Sequence, residues 1–504
     1  MAPGSEPLSP IQLPQKWNHE ADVVIVGAGG AGLAAAVSAI ENSAKVLVLE
    51  KNPFCGGNTS LAMVVEGLCG SRIQNKLGIQ SPPLSERVNR DLTIPNATSG
   101  RNPTLVRQIL EFQADTLNWL EDLGVVYEIK PAAGAPAPGI VHCPIDPEHP
   151  QQGWYSWFPH NARGFTEALE KQARNLGAKI LLEHPVISLV VHKEKVVGVA
   201  AQLPNGKRVI IKGKSIILTS GGFGANKDML KKYGNPRKVE GARYWGMPGS
   251  QGDGIRMAQA LGAETNGMEE IEIWDGGALS EHGATTVYST PNQLVRQKSL
   301  TVNKEGKRFF CESLYGGYYY SYQAAQTLSQ KDQTSFTLFD ADIIRKEDII
   351  KKFDPMFCEY PCPWFEDQFQ KYLKEGTIMK AGSIQELAKK MAVGAAVLVE
   401  TVARYNQLCD KGVDEDFFKE PKYMQPIRKA PFYAVSQKGG ACFNTWGGLI
   451  VDERFRVLNK NRNPIPGLYV AGENAAGGAS LAYVLPGGRL AGKFAADEAL
   501  KKEA

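Results

Sequence analysis

The run Asp22-Val-Val-Ile-Val-Gly27-Ala28-Gly29-Gly30-Ala31-Gly32 narrows the possible folds of this chain more than any other segment. A short β-rich stretch enters a Gly-x-Gly-x-x-Gly turn and continues into an alanine-rich helix over about 31–41. Residues 45–49 read as a second strand, which ends at Glu50. Gly27 permits the tight turn, Gly29 lets a pyrophosphate approach the backbone, and Gly32 lets helix and strand pack closely. The helix N-terminus offers N–H groups and a positive dipole to the phosphates. Glu50 stands where an acidic residue accepts hydrogen bonds from an adenosine ribose. The segment predicts a dinucleotide site; a glycine-rich βαβ turn without ligand is the alternative.

After Glu50 and Lys51 comes Gly56-Gly57-Asn58-Thr59-Ser60, a second glycine-rich turn carrying amide and hydroxyl side chains. A nicotinamide domain does not need this element, whereas a flavin held inside the protein does. Much later, Gly467-Leu-Tyr-Val-Ala-Gly472-Glu473 reads as a strand running into a turn, and Leu485-Pro486-Gly487-Gly488-Arg489 as the opening of a final helix, about 489–500. With Ser220-Gly221-Gly222-Phe-Gly224, Gly252-Asp253-Gly254, Asn303-Lys-Glu-Gly-Lys-Arg-Phe309 and Trp446-Gly447-Gly448, these pieces resemble the fumarate reductase / 3-ketosteroid dehydrogenase superfamily of FAD-dependent flavoproteins. The resemblance runs from Asp22 to about Leu500. It implies an α/β fold: a Rossmann-like FAD-binding domain of glutathione-reductase type with an inserted α+β capping domain.

The pattern along the chain suits that division. Residues 1–20 are rich in Pro, Ser and Glu and read as a loose tail. Residues 21–267 form the first part of the FAD-binding domain, with a helix over 101–124, another over 165–176, and β-rich runs at 179–182, 186–192, 196–202, 208–212 and 215–218. Pro204-Asn205-Gly206 turns one hairpin. Residues 268–427 are aromatic-rich and lack βαβ alternation, and are assigned to the cap; 428–504 return to the strand–turn–helix style.

A net charge of +4 over 504 residues gives no reason to invoke a nucleic-acid partner. No apolar run approaches the length of about 20 residues that spans a bilayer, and the tail lacks the pattern of a signal peptide, so a cytoplasmic protein is expected. The eight cysteines form no Cys-x-x-Cys, and the seven histidines show no metal-ligand spacing, so no metal is assigned. There is no second Gly-x-Gly-x-x-Gly, so electrons must reach or leave the flavin through an external donor or acceptor.

The resemblance also implies a set of cofactor contacts: Gly27, Ala28, Gly29, Gly30, Ala31, Gly32, Glu50, Lys51, Gly56, Gly57, Asn58, Thr59, Ser60, Val186, Ser220, Gly221, Gly222, Asp253, Gly472, Glu473, Gly488, Arg489 and Leu490. Glu473 resembles the acidic residue placed on the ribityl chain. Relatives with covalent flavin carry a histidine just before the threonine of the second glycine turn. That place is Asn58 here, so the FAD is expected to be non-covalent.

A flavin exchanging a hydride with carbon needs a group polarising the substrate and an acid or base at the neighbouring carbon. Fumarate-type members use two arginines and a histidine. Their histidine segment appears here as Asn444-Thr445-Trp446-Gly447-Gly448, their C-terminal arginine aligns with Val484, and their acid arginine falls among 315–318. A dicarboxylate bound without cations would bury unpaired charge at a cost of several kcal/mol. Tyrosines stand instead: Tyr315, Tyr318, Tyr319, Tyr320 and Tyr322 after Glu312, and Tyr483 before the last glycine turn. Ketosteroid dehydrogenases resemble this pattern, which makes Tyr318, Tyr483, Tyr315 and Asn444 the candidate catalytic residues. The implied reaction is at a CH–CH / C=C bond beside a carbonyl in a small apolar substrate. The alternatives are an enoate reductase of fumarate or urocanate type, using Arg296 or Arg308, and a flavin electron-carrier subunit without its own substrate.

Overall fold

The first strand, His19–Val26, pairs in parallel with Val46–Leu49 on one side and Arg208–Leu218 on the other. Val23, Val24 and Ile25 are fully buried, as expected of a central parallel strand covered on both faces. The computed structural model that shows this describes residues 9–62, 65–67, 69–93, 102–132, 139–145, 163–240, 242–275, 297–314, 320–346, 365–438 and 440–501. The central sheet runs in the order 456–458, 464–470, 208–218, 19–26, 46–49, 179–181. The hairpin Val186–His192 / Lys195–Gln202 adds to Arg208–Leu218 as an antiparallel meander. The two short runs read at 208–212 and 215–218 are one continuous strand.

Two helices pack face to face on this sheet. Gly30–Glu41 lies against Leu481–Ala499 so closely that a Cβ on Gly488 would overlap the backbone of Ala31, and one on Gly492 the backbone of Ala35. The four-residue spacing puts both glycines on one helical face. Ser38 Oγ adds a hydrogen bond of 2.8 Å to the Arg489 carbonyl.

The final helix begins earlier than the sequence suggests. Ser480 caps it, accepting from Ala482 N through its side chain, and the Ser480 carbonyl accepts from the N–H groups of Tyr483 and Val484. Pro486 therefore sits inside a helix that starts at Leu481. Proline is best tolerated in a first turn, because an interior proline loses a backbone hydrogen bond. That preference suggested a start at 489; the Ser480 cap and the apolar face of 481–485 prevail. Gly488, Arg489 and Leu490 thus lie within the helix, not at its open N-terminus.

A second core forms around an antiparallel sheet ordered 300–303, 334–340, 432–438, 378–381. Leu338, Phe339, Leu387, Leu398 and Tyr405 fill it. It extends beyond residue 427, since Phe432–Val435 belong to this sheet and its core. From there the chain passes into Gly440–Thr445, which pairs with Ile271–Asp275 and Arg243–Tyr244. Among the described residues no helix is long and apolar enough to cross a membrane.

Candidate active site

The two glycine turns meet. Gly29 and Gly56 form a parallel bridge, and Gly56 N donates to the Ala28 carbonyl at 2.8 Å. Gly27, at φ +105°, has no room for a side chain: a Cβ would stand 2.5 Å from the Thr219 carbonyl oxygen. At Gly32 a Cβ would overlap the Gly27 carbonyl. Gly29 differs. Its φ is −78°, open to any residue, and the nearest atom to a Cβ would be the Gly56 oxygen at 3.8 Å. The protein's own packing does not require glycine there. The open space lies at the N-terminus of a twelve-residue helix that no side chain caps, which is the setting for a phosphate.

Glu50 is buried and braces this turn. Its Oε2 accepts from Ala28 N at 2.8 Å, and its Oε1 from Asn52 N and Nδ2, both at 2.9 Å. The Glu50 carbonyl accepts from His184 N at 2.8 Å, two residues before the buried Val186. Lys51 Nζ pairs with Asp253 Oδ2 at 2.7 Å and also donates to the Gly249 carbonyl, so these two expected contacts engage each other. Gly56 and Gly57 take positive φ values of 120° and 51° leading into the short helix Gly57–Leu61. There Thr59 Oγ1 accepts from Gly30 N at 3.2 Å, and Ser60 Oγ donates to the Gly57 carbonyl at 2.9 Å.

A second group of residues centres on Glu473. Its Oε1 accepts from Thr445 N at 2.9 Å and Thr445 Oγ1 at 3.2 Å, and its Oε2 from Asn58 Nδ2 at 3.3 Å. Asn58 Nδ2 also donates to the Tyr244 hydroxyl at 2.6 Å, while its Oδ1 accepts from Met247 N at 2.7 Å. These partners are all neutral. Burial pushes the Glu473 carboxyl above the usual carboxylate range, against the opposing pull of the Thr445 and Gly222 backbone N–H groups. A Cβ on Gly222 would come 2.6 Å from Glu473 Oε1. Gly221 and Gly472 hold positive φ values of 81° and 68°, turning the backbone on either side of this carboxyl.

Ser220 Oγ donates to Asn474 Oδ1 at 3.3 Å and accepts from Gly254 N at 3.1 Å. The buried Asn474 Nδ2 finds no partner among the described residues. An unmet buried amide donor, a buried carboxyl with only neutral partners, and an open glycine at a helix N-terminus make a cradle that fits the phosphates and hydroxyls of FAD.

Some expected contacts turn elsewhere. The Arg489 side chain reaches Asp115 Oδ2 at 2.9 Å and stacks over the Trp119 ring at 4.3 Å, leaving only its backbone to face a ligand; Leu490 is buried. Tyr483 is buried too, and its hydroxyl donates to Asp91 Oδ2. Tyr315, Tyr318 and Arg296 lie outside the described residues. Arg308 is not an open cation: its Nη2 sits 2.7 Å from both Glu312 Oε2 and Asp414 Oδ2, with the side chain 5% exposed. Asn444 Nδ2 and Trp446 Nε1 both donate to Glu272 Oε2, each at 3.1 Å. Sequence reasoning missed Glu272, Tyr244 and Asn474. For Glu272 a signal existed in the polar–apolar alternation Glu270-Ile271-Glu272-Ile273.

Comparison with known proteins places this geometry. The model of the family described as "FAD binding domain" matches residues 22–490. Vinyl phenol reductase of Lactiplantibacillus plantarum is 30% identical over 511 residues, covering 94% of this chain and 96% of that protein. NADH:fumarate oxidoreductase of Klebsiella pneumoniae is 28% identical over 491 residues; 95% of this chain is covered, but the chain spans only 48% of that relative's length. Among solved structures, 3-ketosteroid-Δ4-(5α)-dehydrogenase from Rhodococcus jostii in complex with 4-androstene-3,17-dione superposes with a TM-score of 0.75 at 25% identity, covering 98% of this chain and 100% of that one.

Proposed function

The chain belongs to the FAD binding domain family, and from that premise we propose that it is an oxidoreductase acting on the C=C / CH–CH bond of a neutral, largely apolar substrate, beside a carbonyl or on an aromatic ring. Bound FAD supplies the two-electron chemistry, accepting or giving a hydride at flavin N5. The chain's own residues hold it. The uncapped helix at Gly29–Gly30 receives the phosphates, and Glu50 fixes the turn beneath them. Glu473, Asn58 and Asn474 meet the polar groups of the ribityl chain. Asn58 offers no imidazole, so the cofactor is held without a covalent bond. Tyr483, Tyr318 or Tyr315 supplies the proton at the carbon beside the hydride. The second core acts as the cap, within the division 21–267, 268–427 and 428–504. An external donor or acceptor exchanges electrons, and the protein works in the cytoplasm.

The observation that carries this reading is Arg308. With both its ends committed to Glu312 and Asp414, it is not available to clamp a carboxylate. The similarity to vinyl phenol reductase supports a neutral substrate. The similarity to NADH:fumarate oxidoreductase keeps an enoate as the second reading. The test is anaerobic photoreduction of the purified holoprotein, followed by stopped-flow addition of enones, vinylarenes and enoates. Flavin reoxidation by the neutral compounds supports the proposal. Reoxidation by enoates alone moves the assignment to the second reading, and by none of them leaves an electron carrier.

A further inference from the structure

Glu272 and Asn444 are direct partners in the antiparallel ladder between Ile271–Asp275 and Gly440–Thr445, so their side chains share one face of the sheet. Asn444 Nδ2 donates to Glu272 Oε2 at 3.1 Å, and Trp446 Nε1 donates to the same oxygen at 3.1 Å. A carboxylate only accepts hydrogen bonds, so the orientation of the amide is decided by its neighbour. Turned over, Asn444 would set oxygen against oxygen. The half-buried Asn444 therefore points Oδ1 away from Glu272, and no hydrogen bond to that oxygen comes from any described residue. The next residue, Thr445, holds Glu473 through both its N–H and its hydroxyl. Asn444 thus stands at the border of the cofactor cradle and presents an acceptor.

We propose that Asn444 Oδ1 selects substrates by accepting a hydrogen bond from a hydroxyl or N–H donor on the substrate, with Glu272 as the positioning residue that keeps the amide oxygen turned to it. This rests on the C=C reading above and names its substrate class: neutral unsaturated compounds bearing a donor such as a phenol. A carboxylate brought to the same place would oppose two acceptors, which disfavours it without any steric barrier. A site built around a hydrogen bond rejects an analogue that lacks the donor, because its own buried polar group is left unmet.

The experiment uses matched benzylideneacetones carrying hydroxyl or methyl at the ortho, meta or para position. Dissociation constants come from absorbance changes of the oxidised holoprotein, and kcat/KM from turnover with reduced viologen. The wild type is expected to favour the best hydroxyl compound over its methyl partner by about 10-fold or more in both measures. Asn444→Leu is expected to erase that ratio. Glu272→Gln, whose amide can pair with Asn444 in either orientation, is expected to lower it severalfold while FAD content stays unchanged. Equal binding of the pair by the wild type overturns the inference, as does a preference that survives Asn444→Leu. If no compound is reduced, the C=C reading falls, and the binding ratio still decides whether Asn444 is an acceptor.

Discussion

Tyr483 Oη donates to Asp91 Oδ2 at 2.8 Å, a buried bond between residues 392 apart in the sequence. It ties the final helix to Leu84–Leu92, where Arg87 is itself bound to Gln113 Oε1 at 2.6 Å. A phenol hydrogen-bonded to a carboxylate is fixed in place and has a neighbour able to take or return a proton.

Tyr483→Phe is expected to lower turnover by roughly 10²-fold, the usual scale for loss of an acid–base group. FAD content should stay unchanged. The same variant should lose about 1–3 kcal/mol of stability, because Asp91 is left buried with one donor fewer. Urea denaturation and steady-state assays separate the two effects. A variant that is destabilised yet turns over normally would make the Tyr483–Asp91 bond structural.

Gly29 and Gly32 should respond differently to a side chain. Gly29→Val leaves the FAD-free protein folded, since its backbone is ordinary and the nearest atom to a Cβ is 3.8 Å away. Its FAD loading is expected to collapse. Gly32→Ala collides with the Gly27 carbonyl and should destabilise the apoprotein by about 1–3 kcal/mol. Denaturation of both apoproteins and flavin absorbance after reconstitution provide the check. Full loading of Gly29→Val would remove the pyrophosphate from this turn.

The raised pKa of Glu473 predicts a pH dependence of apoprotein stability. The folded carboxyl keeps its proton above the ordinary value of 4.5. The stabilising contribution is therefore complete below about pH 4.5 and is lost as pH rises through the folded pKa, with a slope of at most about 1.4 kcal/mol per pH unit. Glu473→Gln cannot titrate, so the stability difference between wild type and variant should drift in this direction across the window. A flat difference from pH 4.5 to 8 would show that the folded carboxyl titrates normally.

Fumarate is expected to be a poor substrate. Arg308 is committed to Glu312 and Asp414, Val484 is apolar, and Asn444 presents oxygen. With reduced viologen as donor, the best neutral acceptor should be reduced at least about 10²-fold faster than fumarate, the scale set by an unpaired buried charge. Comparable rates would restore the enoate reading.

FAD should leave the protein on acid precipitation. Asn58 is occupied by Tyr244, Glu473 and Met247 and has no nucleophilic nitrogen to bond the isoalloxazine. Yellow colour retained in the pellet would contradict this.

What the sequence disclosed depended on range. The strand–turn–helix at Gly27–Gly32 and the meander from Lys179 to Leu218 were legible because their signals lie within a few neighbouring residues. The early start of the final helix was hidden by Pro486, a strong local cue overruled by the Ser480 cap. The pairs Tyr483–Asp91, Asn444–Glu272 and Arg308–Asp414 leave no local pattern, because each joins segments roughly 100 to 400 residues apart. Arg489 reads as a cofactor residue by position, yet its guanidinium spends its charge on Asp115 and its flat face on Trp119.

The packing of Gly488 and Gly492 against Ala31 and Ala35, clasped by Ser38 and Arg489 across 451 residues, also sets a timetable for synthesis. The phosphate-binding turn leaves the ribosome almost first, but the helix that supports it from behind leaves last. At about 5–20 residues per second, the nascent glycine turn waits some tens of seconds for its partner. The dinucleotide fold is therefore completed by release of the chain and not during its growth, and a stalled or prematurely terminated product carries an apolar helix face that no other segment is shaped to cover.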